Sequence, residues 1–348
     1  MDANLTKFAF TMKRIRLANL PTKIYRLERL SKELGANIWI KRDDQTGSEL
    51  TGNKVRKLEF ETADALEKGC DLLITCGGIQ SNHCRATVAA ATQLGMKSAI
   101  LLRISDEPPV RGNYFLDKLL GADVRFCNQE EYRNHRQEIM EDMAEGYRKL
   151  GFNPYIIPEG ASNGIGTLGY YNCMQEILQQ EKQMGVEFNT IVVATGSGGT
   201  IAGLHLANEL GHLGKRCIGM AVCDNVEYFT EIADNISNEA KCLLKEFLDT
   251  KDYSSATLLR SNIEINDKYV GIGYALSRPE ELEFIRKVAR MESLILDPVY
   301  TGKAMYGLWN ELQKDADPET RINPDDNILF IHTGGLFGLF PISDDFPL

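Results

Sequence analysis

Short apolar runs alternate with longer amphipathic stretches along most of this chain. The spacing predicts strands over 38–44, where Ile38-Trp39-Ile40 runs into Lys41-Arg42-Asp43-Asp44, and over 72–75, 98–102, 124–126 and 155–157. Between them, apolar residues at helical spacing predict helices over 27–34, from Lys54 to about 68, and over 82–94, 113–120 and 130–150. Gly35, Gly69, Gly95 and Gly121 stand where four of these helices should stop. A second series follows, with helices over 167–184, 199–210, 280–291 and 301–312 and helical segments over 226–249. Its strands are predicted over 191–194, 217–222, 294–296 and 328–331, with 263–265 as an edge strand. Polar loops are predicted over 251–261 and 315–326, and residues 1–36 begin as a polar arm.

Strands separated by helices of this length imply βαβ units and an α/β fold built on parallel sheets. The strands are continuously apolar, as expected when helices cover both faces of a sheet. The turn-rich stretch Pro158-Glu159-Gly160-Ala161-Ser162-Asn163-Gly164 divides the two series and marks a domain junction. A chain of 348 residues is long enough for two domains.

Bulk properties narrow the function by exclusion. The formal net charge is -10 and no basic block stands out, which argues against nucleic acid as a partner. No apolar stretch has the length of a membrane span, and residues 1–10 lack the apolar core of a signal peptide. The eight cysteines form no CxxC pair and read as reduced thiols, so a cytoplasmic protein is expected. Cys76 and Cys84 flank the turn at 77–83, where packing is the simpler reading. The five histidines show no HxxxH or HExxH spacing, and no metal is expected.

The candidate chemistry sits where strands end and helices begin. In Thr51-Gly52-Asn53-Lys54, a lysine lies at the junction of a Gly-Asn turn and a helix. The helix dipole there favours the neutral amine, which can attack a carbonyl and form a Schiff base. A solvated first-turn lysine is the plain alternative. Thr195-Gly196-Ser197-Gly198-Gly199-Thr200 follows the strand at 191–194, and such a turn lets backbone amides close on an anion such as phosphate. It ends in no GK[ST], so it is not a Walker loop, though it could hold a nucleotide or serve only as a tight turn. In Gly77-Gly78-Ile79-Gln80-Ser81-Asn82-His83, Ser81 is placed to cap a helix, and the amides there can also receive a carboxylate. Tyr274, in Gly271-Ile272-Gly273-Tyr274, and Tyr300, in Asp297-Pro298-Val299-Tyr300, lie beside glycine or proline at loop positions.

Taken together, GNK, GGIQSN, GSGGT, DPVYTGK and the closing His332-Thr333-Gly334-Gly335 resemble the pyridoxal-phosphate (PLP) enzymes of the tryptophan-synthase-β fold type (fold type II). More narrowly they resemble the family of 1-aminocyclopropane-1-carboxylate (ACC) deaminases and D-cysteine desulfhydrases, from about Leu17 to Phe337. The resemblance implies two open, mainly parallel sheets, with a small domain over 57–165 inserted into a large PLP-binding domain of 1–56 and 166–348. PLP would lie in the cleft between them. Lys54 would carry it, with Lys57 the nearest competitor, and would serve as base once a substrate displaces it. Asn53, Asn82, Thr195, Thr301 and Thr333 would complete the cofactor site with the loop Gly196, Ser197, Gly198, Gly199 and Thr200. Ser81, Asn82, His83, Tyr274 and Tyr300 would meet a small amino-acid substrate. A direct role for His83 is left open, since ACC deaminases often have glutamine there. They also have glutamate and leucine where this chain has Thr301 and Thr333, and both threonines match the D-cysteine desulfhydrase pattern. Without a carboxylate to hold the pyridine nitrogen protonated, elimination of a good leaving group is favoured over opening a cyclopropane ring. The expected activity is conversion of D-cysteine to pyruvate, hydrogen sulfide and ammonia, by a homodimer. Alternatives are ACC deamination, elimination from D-serine, 3-chloroalanine or cysteate, and a non-catalytic nucleotide- or amino-acid-binding protein.

Overall fold

The computed structural model describes residues 12–106, 108–244 and 263–347. Two sheets organise them. The larger has six strands: β1 (Ile24–Arg26), β2 (Asn37–Lys41), β7 (Thr190–Thr195), β8 (Arg216–Ala221), β9 (Glu264–Asn266) and β10 (Asn327–Ile331). Their order is β1-β2-β10-β7-β8-β9, parallel except for β1, which pairs antiparallel with β2. The smaller sheet is wholly parallel, in the order β5-β4-β3-β6: β3 (Leu72–Gly78), β4 (Lys97–Arg103), β5 (Asp123–Cys127) and β6 (Pro154–Ile156). Among the described residues no helix is long and apolar enough to cross a membrane.

The apolar runs of the large sheet are buried on both faces. Ile191 and Val193 of β7, with Leu329 and Ile331 of β10, join a core with α6 (Gly164–Met184), α7 (Gly199–Leu210) and α8 (Val226–Leu244). The alternate residues Val192, Ala194, Ile328 and Phe330 join a second core with α1 (Glu28–Leu34), α9 (Pro279–Glu292) and α10 (Thr301–Glu311). Strand side chains alternate between faces, so two helical layers require an unbroken apolar run. The small sheet is covered by α2 (Asn53–Glu67), α3 (Asn82–Gln93), α4 (Gly112–Leu119) and α5 (Gln129–Lys149).

Two expectations need correction, and one strand is added. The run at 294–296 is not a strand: Leu294 and Leu296 are buried against α9 and α10, but the segment pairs with no neighbour. The strand expected over 38–44 ends at Lys41, and Asp43–Gln45 forms a 3-10 turn. The antiparallel strand β1 carried no clear strand pattern. The loop expected over 251–261 and the end of the helical stretch at 245–249 lie outside the described residues.

We propose 57–165 as the smaller unit, with α2 shared between the two. Residue 56 lies inside this helix. Val55, Leu58 and Ala65 pack beneath the small sheet, while Phe60 joins the large-sheet core. Arg56 anchors the helix. Its Nε and Nη2 donate to both Asp43 carboxylate oxygens at 2.7 and 2.8 Å, and Nη1 and Nη2 reach Glu176 of α6 at 3.0 Å. Lys41 donates to Glu176 at 2.6 Å, and Tyr170 and Thr22 donate to Asp43 at 2.6 and 2.7 Å. Burial alone would raise the Asp43 pKa. The Arg56 charge and hydrogen bonds, with Lys41 and Tyr170, outweigh it and pull the group down to about 2. This network fixes α2 against the end of β2 and against α6, one turn from Lys54.

Candidate active site

Helices α2, α3 and α7 start at one cleft of about 710 Å³, at the C-terminal ends of the parallel strands. Open α/β sheets bind ligands at that end. Two glycines permit the first junction. Gly52 has φ +93°, and a Cβ there would lie 2.9 Å from the Thr333 carbonyl oxygen. Gly334 has φ +99°, and a Cβ there would meet the Gly52 Cα at 2.9 Å. The Asn53 amide donates to the Thr333 carbonyl at 3.0 Å, and its side-chain Nδ2 donates to Thr200 Oγ1 at 3.1 Å. The turn after β10, the start of α2 and the start of α7 are thus joined through one asparagine.

Lys54 lines this cleft, with Nζ 3.1 Å from where a Cβ on Gly160 would sit. Burial pulls its amine down to about 8, against a smaller upward pull from Glu159. Lys57 is different. It is fully buried, and its Nζ donates to the Gly160 carbonyl at 3.2 Å and to Ser162 Oγ at 3.3 Å, behind the cleft wall. In apoprotein, competitive labelling with acetic anhydride is expected to show Lys54 titrating near pH 8, whereas exposed lysines follow a pKa of about 10.4. A Lys54 profile that tracks the exposed lysines would contradict a desolvated amine.

The loop at 196–200 begins α7. Its first turn leaves amides without helical partners, and Ala202 makes the first bond back, to the Gly198 carbonyl at 3.0 Å. Gly198 has φ +82°. Thr195, Gly196, Ser197, Gly198 and Thr200 line the cleft, whereas Gly199 faces away from it. A Cβ on Gly199 would meet Lys57 Nζ and Ser162 Oγ, each at 2.8 Å. Ser197 and Ser162 share a 2.8 Å hydroxyl hydrogen bond.

Ser81 is the N-cap of α3, accepting from the Cys84 amide at 3.1 Å, and it also lines the cleft. Beside it, Asn82 Oδ1 accepts from Asn113, which is held in turn by Arg85 Nε at 3.2 Å. His83 lies at the wall but is tied down. Thr75 Oγ1 donates to the Ile157 carbonyl and accepts from His83 Nε2, each at 2.8 Å. Burial first, then the charges of Lys54 and Lys57, hold its pKa well below the usual value, so the ring is neutral. Cys76 and Cys84 are buried and free, and burial pushes the Cys76 thiol up to about 12.

Across the cleft, the Tyr274 and Tyr300 hydroxyls lie 2.6 Å apart. Burial raises both, Tyr274 to about 12 and Tyr300 well above its usual value, so both stay protonated. Thr333 lines the cleft; Thr301 does not. Thr301 Oγ1 donates to Asp297 Oδ1 at 2.6 Å and accepts from the Asp297 amide at 2.8 Å, with the side chain fully buried. An acidic side chain at 301 would abut the Asp297 carboxylate.

Sequence reasoning missed Glu159, the one carboxylate among the described residues that line the cleft. It accepts from the Tyr132 hydroxyl at 2.8 Å. Its signal was an acidic residue in the turn-rich junction after β6.

The residues present fit PLP. An amine that sheds its proton near pH 8 faces a glycine-turn helix start across a cleft that also holds an aromatic pair. Thr195 Oγ1 is buried there without a hydrogen-bond partner among the described residues. At Gly196 even a methyl group would come within 3.0 Å of the Tyr300 ring.

The family described as pyridoxal-phosphate dependent enzymes matches residues 15–334. The chain belongs to that family. It is 43% identical over 333 residues to the bifunctional D-cysteine desulfhydrase/ACC deaminase, mitochondrial, of Arabidopsis thaliana, covering 93% of this chain and 78% of that protein. It is 38% identical to a putative ACC deaminase of Pyrococcus abyssi, covering 99% and 97% of the two chains. The crystal structure of an ACC deaminase homologue superposes with a TM-score of 0.87 at 38% identity, covering 99% of this chain and 98% of the other. The protein is therefore a PLP-dependent enzyme of the ACC deaminase and D-cysteine desulfhydrase group, with the fold type II architecture.

Proposed function

We propose that this enzyme is a carbon–sulfur lyase that eliminates hydrosulfide from D-cysteine. The observation that carries the reading is the chemistry of the wall after β10. The cleft there is met by Thr333, while Thr301 is turned into Asp297, and among the described residues no carboxylate of that wall lines the cavity. The bifunctional relative, whose name joins the D-cysteine and ACC activities, supports the same substrate pair.

Lys54 would bind PLP covalently, the amides of Gly196, Ser197, Gly198 and Thr200 would hold its phosphate, and Asn82 and Thr333 would face its ring. When bound, PLP supplies an electron-withdrawing ring that acidifies the α-proton of an attached amino acid. The Ser81 turn binds the substrate carboxylate through helix-start amides. Lys54, with a pKa near 8, takes the α-proton. The electron pair of the Cα–H bond becomes the new Cα=Cβ bond, and the Cβ–S pair leaves on sulfur. The Tyr274–Tyr300 pair, protonated throughout, would donate a hydrogen bond to the departing hydrosulfide, which leaves as the anion. The released 2-aminoacrylate takes up water and yields pyruvate and ammonia.

We further infer a homodimer that acts on a small amino-acid substrate, and a cytoplasmic location; the eight free cysteines suit a reducing compartment. The test is a panel of D-cysteine, L-cysteine, D-serine and ACC, with sulfide and keto acid measured for each. Sulfide and pyruvate in equal amounts from D-cysteine, with ACC turned over at least about tenfold more slowly, is the expected pattern. ACC turnover exceeding D-cysteine turnover would replace the reading with ACC deamination.

A further inference from the structure

Arg103 is the last residue of β4, and its partner across the sheet is Gly78 of β3, a residue of the cleft wall. Because Gly78 has no side chain, the guanidinium extends over that position. Nη2 lies 3.7 Å from where a Gly78 Cβ would be, and the Tyr274 ring edge lies 3.8 Å from the same point. The guanidinium carbon stands 5.3 Å from the Tyr274 ring centroid and 5.1 Å from that of Tyr132. Two aromatic rings therefore hold this cation beside Gly78 and Tyr274, both of which line the cleft.

Unlike Arg56 and Arg136, Arg103 has no carboxylate beside it among the described residues. Arg56 has two carboxylates, and Arg136 approaches Glu159 at 4.0 Å. Among the described residues Arg103 has neither an ion-pair partner nor a hydrogen-bond acceptor. Glu159 is nearby, but the hydrogen bond it accepts comes from Tyr132. Five donors held in a planar fork, stacked and uncommitted, are a ready receptor for an oxyanion or a thiolate.

We propose that Arg103 is a specificity-determining residue that receives the β-substituent of the substrate, selecting amino acids whose β-group is an anion or departs as one. This rests on the elimination reading above and deepens it. The α-carboxylate is assigned to the Ser81 turn, so Arg103 is free for a second group. A sulfonate would meet it already charged, in the ground state. A thiol has an ordinary pKa near 8.5 and becomes fully anionic only as the Cβ–S bond breaks. ACC carries no such group, because its β-carbons belong to an uncharged ring. Arg103 would therefore act on KM for a β-sulfonate, on kcat for D-cysteine, and on neither for ACC.

The test uses holoenzyme and Arg103→Met, which keeps an unbranched side chain between the two tyrosines, with Arg103→Lys as the charge-retaining control. Calorimetry with 3-sulfopropionate and cyclopropanecarboxylate, which lack the amino group and cannot react, reads binding apart from turnover. The parent is expected to bind 3-sulfopropionate at least about tenfold more tightly, and Arg103→Met to lose that preference while holding cyclopropanecarboxylate unchanged. In turnover, Arg103→Met is expected to lower kcat for D-cysteine about tenfold or more and to leave ACC within about twofold, with Arg103→Lys in between. Equal loss for both ligands in Arg103→Met, or no change for either, would overturn the proposal. The two readings fail separately. Sulfide release from D-cysteine that is indifferent to Arg103→Met sinks this proposal and leaves the lyase standing. An Arg103-dependent preference for 3-sulfopropionate in an enzyme that releases no sulfide keeps this proposal and removes D-cysteine as the substrate.

Discussion

Lys54→Ala is expected to lower sulfide release from D-cysteine by roughly 10⁴-fold or more, because one side chain supplies both the cofactor attachment and the base. Fixation of PLP to the chain by borohydride should disappear with it. The fold should survive. In apoprotein the direction of the stability change follows from the amine itself. Burial depresses its pKa from 10.5 to about 8, so the protonated amine costs stability below pH 8. That cost fades between pH 8 and 10.5, where the folded protein has lost a proton that the unfolded chain keeps. Alanine removes the cost, so the mutant should show a flatter stability curve over this window. A Lys54→Ala protein that still holds borohydride-fixed PLP and turns over normally would move the attachment to another lysine.

Asp43→Asn should produce the largest loss of stability, about 3–5 kcal/mol, read from the urea unfolding midpoint and slope. The neutral side chain cannot balance Arg56, which is 2% exposed and donates two of its hydrogen bonds to this carboxylate. Lys41, fully buried beside it, would share only Glu176. The parent carries the matching acid sensitivity. With Asp43 held at about 2 against an ordinary 3.8, its contribution is complete above about pH 4 and is lost as pH falls towards 2. The damage should also reach activity, because Arg56 belongs to the first turns of the helix that presents Lys54. A loss below about 1 kcal/mol would mean that Glu176 alone satisfies both cations.

Much of the fold was legible because its punctuation is chemical. Gly35, Gly69, Gly95 and Gly121 all take positive φ where helices were expected to stop. The continuous apolar strands announced a sheet covered on both faces. The site was legible as three turns, because a helix start that must meet a ligand needs glycine, asparagine or serine in a fixed order. Long-range pairing was not legible. Leu294-Ile295-Leu296 is a continuous apolar run like that of a buried strand, yet Leu294 and Leu296 only fill space between two helices. Thr301 belongs to the matching motif, but nothing in the motif tells that Asp297 takes up its hydroxyl. In the sequence Gly198 and Gly199 read as positions where backbone amides close on an anion. A Cβ at Gly198 would come 2.9 Å from Ile232, and one at Gly199 2.8 Å from Lys57, so valine at either position is expected to harm the fold as well. Glu159 and Arg103 had no motif at all. Their place at the cleft follows from which strand neighbours which, and that order is set by the whole sheet.

The most direct test of the account is a competition. Holoenzyme is given equal concentrations of D-cysteine and ACC, and the two keto acids are separated and quantified, pyruvate from the first and 2-oxobutyrate from the second. Predominantly pyruvate, matched mole for mole by sulfide, is the predicted result. Predominantly 2-oxobutyrate, or pyruvate without sulfide, would contradict it.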